Sequence, residues 1–392
     1  MQNLESFSRK RAPEVHPIPR WLVRSVLVSL VAWTVQPIPS AAQNVSGSAT
    51  QVAGVNPANN SMMTGDEADE NKDDQRSRAE DFLRLGVRPI AIGHHGVGPN
   101  SGANPNPALP IENTVDSVRQ AYSLGARVVE VDVQLTQDGN LAVFHDDFLS
   151  DFTCIHSLTL DQLQQRLPYV PELRQVINVA REFNNRAGDD LGGILIVELK
   201  AFSPHCDPGD KLEQAVVSAA VSEVRQANMA DRLIFDSFSP ALLYLAAQTA
   251  PEIPRELDIS GLQLLTPSQI QFLTGLPVTI INKKISLGLT WAEIGPVFRL
   301  PGYASAQQFL ATGMATSVRV VGGEMDFFGP AEQLQPGSGA AFVGAAHSLG
   351  LRVFADPAGS EADWNFFSSL GVDAIYSVIP LGVRLQPAIP DL

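Results

Sequence analysis

The sequence is poor in positive charge. It holds 27 Lys and Arg against 42 Asp and Glu in 392 residues, which gives a formal net charge of −15 at neutral pH. A protein that binds nucleic acid needs clustered Lys and Arg to neutralise phosphates, and a negative surface is repelled by anionic membranes. The composition therefore argues against a nucleic-acid partner, and an anionic substrate would have to meet positive charge that is gathered locally.

A long apolar run is also lacking near the N-terminus. The uncharged stretch Ser25–Val35 is too short to cross a bilayer comfortably. Basic residues precede it and the small-residue stretch "SAAQ" follows, a pattern that predicts a signal peptide over residues 1–42 with cleavage after Ala42. A buried N-terminal helix would explain neither flank. No Cys follows the stretch, so we expect an exported protein, periplasmic or secreted, without lipid anchor or stable membrane insertion.

Large apolar residues are scarce in the segment that follows. Residues 43–81 are rich in Asn, Ser, Gly, Asp and Glu, and such a composition cannot bury enough apolar surface to fold. We predict a disordered acidic linker over 43–81 and a folded domain over 82–392. Without the signal peptide, the chain keeps 22 basic and 40 acidic residues, a balance of −18.

Cysteine is nearly absent, with Cys154 and Cys206 as the two examples. In an oxidising compartment an even pair suggests a disulfide, while two separate buried thiols are the alternative. Hydrophobic residues make up 44% of the chain, which is enough for a substantial core.

Short runs rich in Val, Ile and Leu alternate with longer amphipathic stretches in the predicted domain. This alternation indicates βαβ units and a parallel sheet, and the length suits a (β/α)8 TIM barrel with small insertions. A doubly wound open sheet is the alternative. Nine strands are one more than a barrel holds, so we expect at least one late strand to be misassigned or additional. The predicted strands are 88–93, 128–134, 141–145, 194–199, 233–236, 278–282, 317–321, 351–355 and 373–378, and helices are predicted at 113–124, 171–185, 211–228 and 338–349.

Polar side chains recur where these strands end. Glu130 and Asp132 lie two apart in the second strand and so point to the same side of the sheet. Each residue taken alone has an ordinary explanation, such as a loop histidine, an exposed edge or a surface ion pair. Their strands are otherwise apolar, however, and buried carboxylates are costly unless they meet cations or donors. The other members of the set are His94 and His95 after the first strand, His145 at the end of the third, and Glu198 and Lys200 at the end of the fourth.

These residue types suit phosphodiester chemistry. Glu130, Asp132 and Glu198 form the oxygen ligand set that Ca²⁺ or Mg²⁺ prefers, whereas Zn²⁺ would draw histidines into the site. Histidines on separate strands can act as acid and base, and a lysine beside the cation can hold an anion. We therefore expect a small-molecule phosphodiester as the substrate.

With these residues in place, the sequence resembles the glycerophosphodiester phosphodiesterase family. The resemblance covers roughly residues 88–240, and its motifs occur in the family's order, which is specific. They are "AIGHHG" (91–96), "ENTVDSVRQAYSLGARVVEVDVQLTQDGNLAVFHDDFLSDFT" (112–153), "VPELRQVI" (170–177), "IVELK" (196–200) and "FDSFSP" (235–240).

The resemblance implies a barrel enzyme that cleaves glycerophosphodiesters to glycerol 3-phosphate and an alcohol. It implies a divalent cation on Glu130, Asp132 and Glu198. His94 and His145 would be general acid and base, Lys200 would contact the phosphate, and Glu112 would orient the first-strand histidine or lie near the metal.

The sequence departs from the family pattern at several points. His95 stands where the family has an arginine that grips the phosphate, and a histidine is shorter and ordinarily only partly charged near neutral pH. The connection 97–111 is long, and the late motifs read "VFADP" (353–357) and "YSVIP" (376–380). These departures keep two alternatives open: a related barrel phosphodiesterase that acts on sphingomyelin or lysophospholipid head groups, and a catalytically degenerate binding protein on the same fold.

A barrel would also place the two cysteines together. Cys154 lies just past the third predicted strand and Cys206 just past the fourth, on adjacent loops of one barrel face. We therefore expect a Cys154–Cys206 disulfide.

Overall fold

The structure is a computed structural model of the chain. It describes residues 77–100, 106–184, 191–202, 206–209, 211–264, 303, 305–328 and 338–389. The predicted signal peptide, most of the predicted linker and the predicted strand 278–282 lie outside the described residues.

Eight parallel strands close into a barrel. Each pairs with the next along the ring, and the last pairs with the first, so the ring of eight strands has no open edge. This confirms the predicted (β/α)8 barrel over the open sheet. The barrel strands are β1 Ile90–Gly93, β2 Val128–Leu135, β4 Ile194–Leu199, β5 Leu233–Ser237, β6 Arg255–Leu257, β7 Val320–Glu324, β8 Arg352–Ala358 and β9 Ala374–Ser377. The remaining strand, β3 Leu141–Val143, pairs antiparallel with β2.

The additional strand is an early one. The predicted third strand, 141–145, corresponds to β3, which forms a hairpin with β2 and lies outside the ring. A short apolar run looks the same in a hairpin and in a barrel, so its sequence could not separate the two. Conversely, β6 was missed, because its three residues include Arg255 and Glu256 and give no apolar run.

Helices cover the outside of the barrel. The predicted helices correspond to α2, α4, α5 and α9, and no helix among the described residues is both long enough and apolar enough to cross a membrane. The helices are α1 Arg78–Arg84, α2 Val115–Ser123, α3 Leu160–Arg166, α4 Leu173–Phe183, α5 Glu213–Gln226, α6 Pro240–Thr249, α7 Ala306–Ala315, α8 Met325–Phe328, α9 Ser338–Ser348, α10 Glu361–Leu370 and α11 Leu381–Leu385.

The barrel interior is apolar at the N-terminal ends of its strands. Side chains two apart on a strand share a face, so the inward positions can be followed along each strand. In the N-terminal half of the barrel these positions are apolar, for instance Ile92, Val128, Ile196 and Phe354, and α1 packs Phe82 against them. Toward the C-terminal ends the same positions become polar. Polar groups therefore gather at the end of a TIM barrel where active sites lie.

The predicted disulfide is present. Cys154 and Cys206 are bonded, with their Cα atoms 5.5 Å apart. The third predicted strand is a hairpin strand and not a barrel strand, but the two cysteines still follow consecutive barrel strands. Cys154 follows the β2–β3 hairpin, and Cys206 follows β4. The disulfide therefore joins two loops at the polar end of the barrel.

Candidate active site

Four neighbouring barrel strands carry carboxylates in register. Asp132 of β2 is aligned with Glu198 of β4, Glu198 with Asp236 of β5, and Asp236 with Glu256 of β6. All four are at least nine-tenths buried. Since parallel strands in register place equivalent side chains side by side, these residues form one line across the barrel wall, the carboxylate row.

At one end of the carboxylate row, Glu130 of β2 lies beside Asp132 and Glu198. One oxygen of each lies within 4.8 Å of the others. The Lys200 ammonium is 2.9 Å from Asp132 Oδ1 and 2.8 Å from Glu198 Oε2. Burial opposes ionisation of Asp132, but Lys200 and His95 outweigh it and lower its pKa well below the ordinary value.

This end of the row fits a hard divalent cation. Its donors are all carboxylate oxygens, the type that Ca²⁺ and Mg²⁺ prefer. Glu130 Oε1 is buried and accepts no hydrogen bond from any residue that the structure describes. Burial, followed by the charge of Asp132, raises the pKa of Glu130. The unpartnered buried oxygen is expected of a ligand whose cation partner is not a protein group.

His95 is buried among the carboxylates. Its backbone is left-handed, with φ +49°, and its N–H donates to Glu130 Oε2 at 2.9 Å. Its Nε2 is 3.1 Å from Asp132 Oδ2, and its Nδ1 is 3.7 Å from Glu112 Oε2. Burial lowers the pKa of His95, but the charges of Asp132, Glu130 and Glu112 outweigh it and raise that pKa to about 10. The expectation of a partly charged histidine was wrong, because sequence did not show these neighbours.

His94 differs from its neighbour in charge. The two imidazole rings are tilted by 35° with their centroids 3.8 Å apart, and His94 Nε2 is 3.4 Å from Asp356 Oδ1. Burial, followed by the positive charge of His95, lowers the pKa of His94 well below its ordinary value. His94 is therefore a neutral imidazole beside a charged one and can accept a proton.

His145 comes to the site from the hairpin. It follows β3 rather than a barrel strand, and its ring centroid is 5.6 Å from that of His95. Its Nδ1 is 2.8 Å from Asp146 Oδ1, and its side chain is 37% exposed. The structure thus brings all the sequence-predicted site residues together, with His145 at the rim and the others deeper.

Two further residues support the site. Asn113, also in a left-handed conformation, donates from Nδ2 to Asp132 Oδ2 at 2.7 Å and accepts from the Asp132 N–H at 3.1 Å. Glu112 Oε2 accepts the Asn100 N–H at 2.8 Å, which ties the long connection before it to the site. The E-N-T motif indicated this region, but a role was predicted for Glu112 and not for Asn113.

A second group of carboxylates was missed. Asp236, Glu256 and Asp258 are buried, and one oxygen of each lies within 4.8 Å of the others. Asp236 occurs in a quoted motif, but Glu256 lies on β6, which was not predicted, and Asp258 follows that strand directly. Burial, followed by neighbouring carboxylates, raises the pKa of all three, that of Asp258 to about 7.

Comparisons with known proteins agree with this fold. The model of the glycerophosphoryl diester phosphodiesterase family matches residues 99–377, a match that begins just after the histidine pair. A solved Oleispira antarctica phosphodiesterase in complex with sn-glycerol-3-phosphate superposes with a TM-score of 0.51 at 22% identity, covering 78% of this chain and 97% of that one.

Two curated relatives are similar over shorter spans. A glycerophosphocholine phosphodiesterase of Eremothecium gossypii is 42% identical over 87 residues, which are 21% of this chain and 6% of that protein. A glycerophosphodiester phosphodiesterase of Caldanaerobacter subterraneus is 25% identical over 185 residues, or 43% of this chain and 65% of that protein. The matches therefore span less than two thirds of either relative.

Proposed function

The chain belongs to the glycerophosphoryl diester phosphodiesterase family, and from that premise we propose that it is an exported, cation-dependent enzyme that hydrolyses glycerophosphodiesters to glycerol 3-phosphate and an alcohol. The observation that carries the proposal is the meeting of three buried carboxylates with Lys200 and three imidazoles at the C-terminal end of the barrel. The activity for which the curated relatives are named supports the substrate class.

Glu130, Asp132 and Glu198 would hold the cation, Ca²⁺ or Mg²⁺. A bound divalent cation neutralises the charge of a phosphodiester and polarises its phosphorus–oxygen bonds. Lys200 and the charged His95 add positive groups beside the same carboxylates, so the phosphate has local counter-charges in a protein that is acidic as a whole. These residues bind and orient the anion.

The two remaining histidines divide the proton transfers. His94, neutral because of burial and its charged neighbour, accepts the proton of the attacking water or substrate hydroxyl. The oxygen of that nucleophile bonds to phosphorus while the bond to the leaving alcohol breaks. His145 donates a proton to the departing alcohol oxygen, and Asp146, whose Oδ1 is 2.8 Å from the Nδ1 of His145, orients the imidazole ring.

A panel of glycerophosphodiesters assayed with and without chelator tests the proposal. We expect release of glycerol 3-phosphate that stops with chelator and returns with Ca²⁺ or Mg²⁺. Glu130→Gln and His145→Ala should lose turnover while retaining the wild-type unfolding transition. Full activity of either purified variant would contradict the assignment. Tight binding of every substrate without turnover would instead identify a binding protein on this fold, and preference for a choline lysolipid would identify the head-group enzyme.

Export is proposed on two grounds. The first 42 residues have the composition of a secretory signal peptide, and the Cys154–Cys206 disulfide suits an oxidising compartment. N-terminal sequencing of the protein recovered from the periplasm or medium of an expressing bacterium should begin at Gln43. A protein that keeps its first residues and stays with the cytosolic fraction would contradict the proposal.

A further inference from the structure

The carboxylate row extends past the residues that the proposed mechanism uses. Asp236 lies on β5, Glu256 lies on β6, and Asp258 follows β6 directly. Their exposed fractions are 2%, 0% and 6%, and one oxygen of each is within 4.8 Å of the other two. Three carboxylates from two neighbouring strands therefore converge in the barrel interior, beside the group on β2 and β4.

Each of these carboxylates has a buried oxygen that receives no hydrogen bond from an N–H group or a hydroxyl among the described residues. Asp236 Oδ1, Glu256 Oε1 and Asp258 Oδ1 accept no hydrogen bond from an N–H group or a hydroxyl of the part of the chain that the structure describes, and Asp258 lies instead within hydrogen-bond reach of the Asp236 and Glu256 carboxyl groups. The other oxygen of Glu256 accepts the Tyr376 hydroxyl at 2.7 Å. No described Lys, Arg or His lies within ion-pair distance of the three residues. Buried carboxylates in this state are costly unless a cation or a proton neutralises them.

The neighbouring strand β7 leaves space for two of these oxygens. Gly322 is on β7, which pairs with β6. A Cβ atom at position 322 would overlap Asp258 Oδ1 and stand 2.6 Å from Glu256 Oε1. The unpartnered oxygens of two different residues thus point into the volume that a side chain at 322 would fill. A glycine at this position keeps that volume open.

We propose that Asp236, Glu256 and Asp258 bind a second divalent cation, separate from the one assigned to Glu130, Asp132 and Glu198. Hard cations such as Ca²⁺, Mg²⁺ and Mn²⁺ take carboxylate oxygens of this kind. Because Glu198 and Asp236 are aligned on adjacent strands, the two sites are neighbours along the carboxylate row. The proposal rests on this geometry and does not require the proposed enzymatic activity.

Cation stoichiometry tests the proposal directly. Full-length protein is stripped with chelator and equilibrated with MnCl₂ or CaCl₂ by dialysis, and the bound metal is counted per chain. Wild type should bind two cations, and Glu256→Gln and Asp258→Asn should each bind one. Glu130→Gln should also bind one, and Glu130→Gln combined with Glu256→Gln should bind none.

Two glycine variants test the same site without changing a ligand. Gly322→Ala should reduce the count from two to one, because its methyl group enters the volume between the carboxylates. Gly344→Ala on α9 is the matched control, since a Cβ at 344 meets nothing within 4 Å, and it should keep two. In chelator, Glu256→Gln should have a higher Tm than wild type, because one of three mutually repelling carboxylates is removed. Addition of the cation should raise the Tm of Glu256→Gln by less than it raises the Tm of wild type.

The outcomes separate the two sites. A single cation in wild type that only Glu130→Gln removes would overturn the proposal and show that Asp236, Glu256 and Asp258 hold protons instead. Two cations retained by both Glu256→Gln and Gly322→Ala would also overturn it. A single cation that Glu256→Gln removes and Glu130→Gln keeps would support the second site and contradict the cation placement in the proposed function.

Discussion

Asn113 makes two hydrogen bonds with Asp132: it donates to the carboxylate at 2.7 Å and accepts from the backbone N–H at 3.1 Å. Groups that orient a metal-ligating carboxylate usually contribute roughly 10–100-fold to metal affinity. Asn113 has φ +57°, a conformation that glycine adopts freely. Asn113→Gly should therefore keep the backbone path and weaken cation binding by about 10–100-fold, measured by titration of chelator-stripped protein.

Asn228→Gly provides the matched control. Asn228 is also left-handed, with φ +53°, but it lies exposed between α5 and β5, away from the carboxylates. Its replacement should leave cation affinity unchanged. If both glycine variants bind cation as tightly as wild type, Asn113 has no positioning role for Asp132.

His95 should be replaceable by arginine but not by a neutral residue. Without a cation on them, the carboxylates around His95 raise its pKa to about 10, so it carries the charge that an arginine would carry. His95→Gln leaves these carboxylates without that counter-charge and should reduce kcat by about 10²–10³-fold, whereas His95→Arg should retain most of the activity. Both are measured on a glycerophosphodiester at saturating cation.

His347, which also lies beside a carboxylate, provides the control for the loss of a histidine outside the site. His347 Nε2 is 2.7 Å from Asp373 Oδ2, and His347 lies on α9, outside the site. His347→Gln should leave kcat unchanged. Equal activity of His95→Gln and wild type would show that the charge at 95 is not used.

The sequence predicted the parts of this site that depend on one strand at a time. Glu130 and Asp132 share a face because they are two apart, and their apolar neighbours showed that the strand is buried. Glu256 and Asp258 gave no such signal, because β6 has three residues and its burial comes from the strands beside it. The charge of His95 was mispredicted for a related reason, since it depends on carboxylates contributed by other segments.

Loss of the disulfide should lower stability. Cys154 and Cys206 are separated by 52 residues, and a cross-link over such a loop restricts the unfolded chain. Replacing both by serine should reduce the free energy of unfolding by about 2–4 kcal/mol, measured by denaturant titration. Wild type unfolded in reductant should match the double variant, and the variant itself should not respond to reductant. An unchanged unfolding midpoint in the variant would contradict the prediction.

Glu223 should make stability fall as pH rises. It lies on α5, and its Oε2 is buried without a hydrogen-bond partner among the described residues. Burial, followed by the charge of Glu172, raises its pKa from 4.5 to about 7. The native state then binds more protons than the unfolded state between these values, so stability is lost as pH rises through this window. Glu223→Gln does not ionise and should be more stable than wild type at pH 8, by about 1 kcal/mol after solvent screening is allowed for, and nearly equal at pH 4.

Glu252 should make stability fall as pH is lowered, which is the opposite pH dependence to that of Glu223. Glu252 Oε1 is 2.7 Å from Arg225 Nη2. Burial opposes its ionisation, but the hydrogen bond from Arg225 outweighs it and lowers the pKa of Glu252. Its ionised form therefore stabilises the native state above pH 4.5, and this contribution is lost as pH falls through the lowered value. Urea unfolding of both variants and wild type should give difference curves of opposite slope, that of Glu252→Gln below pH 4.5 and that of Glu223→Gln between pH 4.5 and about 7, because all other titrating groups cancel. A flat difference curve for Glu223→Gln would show that this carboxyl group has the same pKa in the folded and the unfolded protein.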